Sequence, residues 1–453
     1  MFTETTQHSN AHYYAAAGVL LTAYYVVPYL LDPHDYRRRF SGPWLASLSG
    51  SWLARSASSG RHYQNILQLH EKYGKFVRVG PNHISISDPD ALEEVYGHSS
   101  GLLKSEFYDA FARSARDRNL FDVRDKTMHT IKRKRIANIY SAQNVTAFEP
   151  RRPSRILLGL IGRLKMVVQS LTAVRSFSYL AFDLISDLAL GVPFGMVEAQ
   201  KDSVPDLLAL SSETNFRDIA PVRIMADVAT NAMTLGSYGT WIQNLLFWAP
   251  WSLSTRMTTV NLIKIIQTTL DARTKVEKDR AEANKQVVDL LDKLFEVKNA
   301  DGSPLASLEI EAEATITLTA GERYDLQKKL QQELDLIEVD SAGANGLEDQ
   351  LNRIIPSFEQ VKNLPYLTAC VKETLRLYST VGSGLPRVVP EGKTVTFAGQ
   401  TFNAGSVVSV PSYCTNKSSV WGPDPDTYRP ERWLEEGASS LNKYFAAFST
   451  GPR

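Results

Sequence analysis

The sequence predicts a mainly α-helical protein with a small β region, carried behind an N-terminal transmembrane helix. Three observations lead there. Residues Tyr13 to Leu31 form a stretch of 19 without a charge. Along the rest of the chain, segments with helical spacing of apolar residues are long and recurrent, whereas alternating apolar–polar runs are few and short. Of the 453 residues, 43% are apolar and 22% charged, the composition of a folded globular body.

The uncharged stretch spans about 28 Å as a helix, close to the hydrocarbon thickness of a bilayer. No Lys or Arg precedes it, unlike the positive start of a cleaved signal peptide. Arg37, Arg38 and Arg39 follow it, which places the body on the cytosolic side by the positive-inside rule. Phe40 to Trp44 reads as a short stiff linker, and Pro28 as a kink near the helix end. Residues 1–40 are therefore anchor and linker, and 41–453 one body. Length alone would suggest about three domains, but large helical enzymes fold around one extended core.

Within the body, Tyr63 to Tyr73 reads as an amphipathic helix stopped by Gly74. Phe76–Val79 and His83–Ile86 alternate around Gly80-Pro81-Asn82 as a two-stranded hairpin. Asp88 is placed to cap a following helix with Pro89 at its first position. Helical patterns cover Ser176–Leu190, Thr258–Lys298 as two helices, Tyr324–Glu338 and Pro365–Tyr378. Short β-rich runs occupy Val395–Val410, and an ordered meander rich in Pro, Asp and Trp starts at Trp421. No acidic residue lies between Glu149 and Asp183, while Arg151, Arg152, Arg155, Arg163, Lys165 and Arg175 do. That stretch is either a basic membrane-surface helix or a misread exon boundary.

The formal net charge of +1 argues against a nucleic-acid partner. The two cysteines, Cys370 and Cys414, make no disulfide framework and fit a reducing compartment.

The sharpest motif is Lys372-Glu373-Thr374-Leu375-Arg376-Leu377. Three residues apart, Glu373 and Arg376 share a helix face, alone an ordinary surface ion pair. Downstream come Leu385-Pro386-Arg387, Pro430-Glu431-Arg432-Trp433 and Phe448-Ser449-Thr450-Gly451-Pro452-Arg453. This order and spacing resembles the cytochrome P-450 superfamily of haem-thiolate monooxygenases. The resemblance implies a buried ionic triad of Glu373, Arg376 and Arg432, in which one carboxylate accepts two guanidinium groups. It implies haem as cofactor, with Arg453, Arg387, His129 and Arg133 meeting the propionates. His129 and Arg133 are four apart on one helix face; read without the family, Lys132-Arg133-Lys134-Arg135 is a solvated basic run.

The family's iron ligand, a cysteine thiolate, follows the position matched by Arg453, and neither Cys370 nor Cys414 stands in that context. The family's long oxygen-activating helix matches only as far as Ala320-Gly321 before Glu322-Arg323-Tyr324-Asp325 resembles a later helix, so about four to five turns are expected to be missing. Thr317 and Thr319 are poor substitutes for its relay threonine. On this reading no residue is assigned as catalytic or as a metal ligand, and the P-450-like fold is incomplete, with loose packing expected where the roof helix is cut short.

Gly74–Ile86, Leu103–Phe111 and Gly384–Arg387 resemble fungal benzoate para-hydroxylases. The resemblance implies a membrane-anchored monooxygenase at the endoplasmic reticulum, hydroxylating a small benzoate-like aromatic substrate with electrons from NADPH through a reductase. The alternative is a catalytically inactive remnant, or a misread gene product, of that family.

Overall fold

A computed structural model describes residues 2–112, 118–139, 141, 144, 178–187, 193–204, 220–283, 290–299, 301–318, 358–379 and 381–451. The basic residues Arg151 to Arg175, Ala320-Gly321, the helix expected at 324–338 and Arg453 lie outside the described residues.

Helix α1 (Phe2–Leu31) carries an apolar window from His12 to Leu31 that has no buried residue and is long enough to cross a membrane. Asp32 ends it and starts the next turn, its carboxylate accepting the amides of Tyr36 and Arg37 at 3.0 Å each. The linker beyond is docked rather than free. Tyr36 and Phe40 are buried, and Phe40 stacks on Phe402 at 5.8 Å with planes 4° apart. Burying two such rings contributes about 3–6 kcal/mol. Gly42 is required where the linker crosses the first strand: a Cβ there would lie 2.2 Å from the Arg78 carbonyl oxygen.

Helices α2 (Ser51–Ser58) and α3 (His62–Tyr73) follow, the latter stopped by Gly74 at φ 90°. Strands β1 (Phe76–Arg78) and β2 (His83–Ile86) form the expected antiparallel hairpin, Phe76 opposite Ile86. The helix after it, α4 (Ala91–Tyr96), begins later than the Asp88-Pro89 pattern suggests. Asp88 instead accepts the Asp90 amide and pairs with Lys75 at 2.9 Å, so its carboxylate closes a turn and caps no helix.

Strand β3 (Leu103–Lys104), a 3₁₀ segment at Glu106–Phe111 and helix α5 (Lys126–Ile136) lead towards the helical half. There, α6 (Pro221–Gly236), α7 (Thr240–Trp248), α8 (Leu253–Ala283), α9 (Leu290–Glu296) and α10 (Ser307–Leu318) confirm a helical pair across 258–298, the first helix starting earlier than the charge pattern indicates. Ile136, Ile224, Leu262, Ile266, Leu291 and Ile310 join these helices in one apolar cluster. Helix α11 (Pro365–Leu377) carries the Glu373–Arg376 motif.

The chain returns as β4 (Arg387–Val388), the β5–β6 hairpin (Thr394–Phe397, Gln400–Asn403) and β7 (Val407–Ser409). The five-stranded sheet runs β1-β2-β7-β4-β3, with β7 parallel to β2 and every other pair antiparallel. Ile84, Ile86, Val408 and Val410 bury its face against Tyr36 and Phe402.

Candidate functional site

The site has two parts: a carboxylate hub under α11, and a cationic edge where β3 and β4 meet the 3₁₀ segment. In the hub Glu373 is fully buried, and five donors converge on it. Arg376 grips both oxygens, Nη2 to Oε1 at 2.7 Å and Nε to Oε2 at 2.9 Å. Arg432 donates Nε to Oε1 at 2.9 Å, the Arg429 amide to Oε1 at 3.0 Å, and Trp433 Nε1 to Oε2 at 3.0 Å. The structure thus brings Glu373, Arg376 and Arg432 together. Burial alone would raise the carboxyl pKa, but the bonds from Arg376 and the Arg429 amide, with both guanidinium charges, hold it below the ordinary value.

The remaining arms of both arginines reach backbone carbonyls: Arg376 Nη1 those of Asn416 and Pro425 at 2.6 Å each, Arg432 Nη2 those of Asp424 and Thr427 at 3.0 Å each. The hub therefore fixes the 416–433 meander to α11. Sequence reasoning missed Trp433 and the carbonyl acceptors. Trp433 had a signal, standing directly after Arg432; carbonyl acceptors leave none.

At the cationic edge, Arg387 is 3% exposed and donates Nη1 to the Tyr108 hydroxyl at 2.6 Å. Its guanidinium carbon lies 5.4 Å from the Tyr96 ring centre and 5.5 Å from that of Tyr108. Across the strand pair, Lys104 is opposite Arg387 and approaches the Tyr108 ring at 5.2 Å. Its ammonium donates to the carbonyls of Leu120 and Phe121 at 3.0 and 2.7 Å. Burial pushes the Tyr108 phenol up to about 12, so it stays protonated.

Helix α5 is capped by Asp125, which accepts the Met128 amide at 2.7 Å. It buries His129, Lys132 and Ile136, and leaves Arg133 exposed. The helix is tied to α10, where Lys132 and Arg135 both pair with Glu309. His129 and Arg133 are thus neighbours in sequence spacing but differ in burial, because the inward stripe runs through 129, 132 and 136.

A cavity of about 580 Å³ opens between α1, the β1–β2 turn, the 3₁₀ segment, α6 and β4, lined among others by Tyr29, His83, Phe107, Arg124 and Met233. Burial, with His62 nearby, pushes His83 down to about 3, and the Ser409 hydroxyl lies 2.8 Å from its Nε2.

Arg387 and the imidazole of His129 are both buried, and each is a donor of the kind that the carboxylate edge of a haem takes. The two cysteines do not fit its iron. Cys370 is buried within α11. Cys414 packs against Leu53, Ile66, Val77 and Val79, and burial pushes its thiol up to about 12, far from a thiolate.

The cytochrome P450 family model matches residues 41–453. The chain belongs to the cytochrome P450 family. It is 34% identical to benzoate 4-monooxygenase of Aspergillus niger over 96% of this chain and 86% of that protein. It is 30% identical to the cytochrome P450 monooxygenase cicH of Emericella nidulans, over 91% and 82%. Pisatin demethylase of Fusarium vanettenii matches at 27% over 92% and 80%. The retinoic-acid-bound cyanobacterial CYP120A1 superposes with a TM-score of 0.54 at 17% identity, covering 85% of this chain and 81% of that one, a likeness of fold. Family membership makes the protein a P450 monooxygenase by descent and haem its cofactor.

Proposed function

We propose that the protein is a membrane-anchored, haem-dependent monooxygenase that hydroxylates a small aromatic acid of the benzoate class. Its electrons come from NADPH through a reductase. The observation that carries the substrate class is the 34% identity to benzoate 4-monooxygenase along 96% of the chain. A bound haem supplies iron at which O₂ is activated for insertion of one oxygen into a C–H bond. Arg387, His129, Arg133 and Arg453 hold the propionates on this reading. Tyr108 and Tyr96 keep Arg387 aimed, and the Glu373 hub holds the meander rigid beneath. Neither Cys370 nor Cys414 serves the iron, since each is buried in protein packing.

Membrane residence is supported by more than α1. Trp241, Leu245, Trp248, Trp251, Leu253 and Met257 are each about half exposed or more, on one continuous stretch. Trp241 Nε1 donates to the Tyr24 hydroxyl of α1 at 3.0 Å, so this apolar surface lies beside the span. With Arg37 to Arg39 behind the span, we place the protein at the endoplasmic reticulum with its body in the cytosol.

The test is to load the full chain with haem and add benzoate, NADPH and a fungal reductase. Formation of 4-hydroxybenzoate supports the reading; a benzoate-insensitive haem spectrum with no product sinks the substrate class. A second reading, a haem-binding but catalytically inactive relative, is favoured by the placement of both cysteines. A thiolate-type absorption band after reduction with carbon monoxide would exclude it.

A further inference from the structure

The cavity beside α1 holds a buried cation that the proposed chemistry does not use. Arg78, on β1, is 4% exposed and lines that cavity. Its Nε and Nη2 donate to the carbonyls of Gly80 and Pro81 at 3.4 and 2.6 Å. Nη1 is buried and has no hydrogen-bond partner. His34 lines the same cavity, and its Nδ1 is likewise buried and unpartnered. Both side chains stand beside one ring. The Arg78 guanidinium carbon lies 5.8 Å from the Tyr36 ring centre, and the His34 ring centre 5.2 Å from it. We propose that Arg78 and His34 form a site for the phosphate of an anionic phospholipid, its headgroup held in the cavity between α1 and the body.

The carboxylates on the cavity wall are engaged elsewhere. Asp32 accepts the amides of Tyr36 and Arg37 at 3.0 Å each, and Arg37 Nε lies 3.5 Å from its Oδ2. Glu106 Oε2 accepts the Thr240 amide at 3.1 Å. Among the described residues, no carboxylate forms an ion pair with Arg78. A buried guanidinium without a counter-charge is unfavourable, and an anion in the cavity relieves it. Phosphate suits the fork of an arginine, and a neutral imidazole can add one N–H. Burial and the Arg78 charge, opposed by Asp32, hold His34 below its ordinary value, so it is neutral at pH 7.

The position favours a lipid. Tyr24, Tyr25, Pro28 and Tyr29, near the end of α1, close one side of the cavity. Tyrosines at the end of a span lie at headgroup depth. Arg37, its guanidinium carbon 5.1 Å from the Tyr29 ring centre, adds a second cation at that level. Basic pockets at the cytoplasmic end of a span receive lipid phosphates. The volume of about 580 Å³ is many times the roughly 30 Å³ share of a water, so a headgroup has room. Leu53, Ile66 and Met233 on the wall suit the start of the acyl chains. The lipid source rests on the reading of α1 as a span; the chemistry of the site does not, and it involves no haem.

The experiment titrates the full chain, in neutral detergent, with dihexanoyl phosphatidic acid below its micelle concentration. Dihexanoyl phosphatidylcholine and inorganic phosphate are the comparison arms. Binding is read as protection of amides in 32–36 and 78–82 from deuterium exchange. Phosphatidic acid should protect both segments saturably, with each comparison arm weaker by about tenfold or more. Arg78→Met should weaken phosphatidic acid binding by about tenfold or more, whereas Arg38→Gln, exposed and away from the cavity wall, should not. Should Arg78→Met not fold, His34→Phe takes its place, with an expected weakening of about threefold or more. Either comparison arm binding as tightly as phosphatidic acid overturns the headgroup assignment. Unprotected segments, or an affinity unchanged in the variant used, overturn the site. Cell fractionation tests the span separately: a soluble chain that still binds phosphatidic acid overturns the anchoring and supports the site.

Discussion

Replacing Glu373 by glutamine keeps the shape of the hub and removes its charge. The carboxylate takes three donors on Oε1 and two on Oε2. An amide offers one oxygen and one NH₂ group. Whichever way it is flipped, at least two of the five donors then face a donor. Each lost charge-assisted hydrogen bond is worth about 1.5–3 kcal/mol, which sums to about 3–6 kcal/mol. The guanidinium groups of Arg376 and Arg432, both buried, also lose their counter-charge. Removing one partner of a buried pair costs about 3–5 kcal/mol by measurement on other proteins, so the two routes agree. Against a total stability of about 5–15 kcal/mol, the variant should sit near the edge of folding. The assay is urea unfolding of the full chain in neutral detergent, comparing midpoints at equal slope. A loss under about 1 kcal/mol would refute the reasoning, because it would mean that the hub is open to water or that its donors find other acceptors.

Other outcomes follow from neighbouring features. Arg387→Met should weaken hemin binding by about tenfold or more while leaving the secondary structure intact, read by titration of the Soret band. Gly42→Ala should destabilise the linker against β1, because the added Cβ meets the Arg78 carbonyl at 2.2 Å; limited proteolysis near residue 42 would report it. His62 and His83 are held down to about 4 and about 3 by burial, below the unfolded value near 6.5. Their stabilising contribution is present above pH 6.5 and lost as pH falls through that window; His83→Gln should flatten the acid limb of a stability–pH curve.

How much was legible in the sequence depended on whether side chains or backbone did the work. The hub was readable because Glu373 and Arg376 must sit one helical turn apart and Arg432 follows Pro430-Glu431. Its other donors and acceptors were not, since the Arg429 amide and the carbonyls of Asn416, Pro425, Asp424 and Thr427 carry no residue signature. Arg387 was picked out, but Tyr96 and Tyr108, which aim it, were not. They arrive from α4 and the 3₁₀ segment, far away in sequence, and only the β3–β4 pairing brings them close. Asp88 misled for a local reason: Lys75, thirteen residues back, takes the carboxylate that the pattern assigned to a helix cap. The helix start at Leu253 escaped because charge periodicity fades before a helix does.

The parallel pairing of β2 with β7 has a consequence for how the chain is made. His83 and Ser409, which touch across that pair, are 326 residues apart. At about 5–20 residues per second, β2 leaves the ribosome about 16–65 s before its partner exists. Throughout that interval the β1–β2 hairpin presents an unpaired edge with Ile84 and Ile86 uncovered, the kind of surface that recruits foreign strands. The nascent protein therefore has a long window in which chaperone occupancy of this hairpin decides yield. Slowing translation between residues 90 and 400 should lower the recovered folded fraction more than slowing it before residue 83.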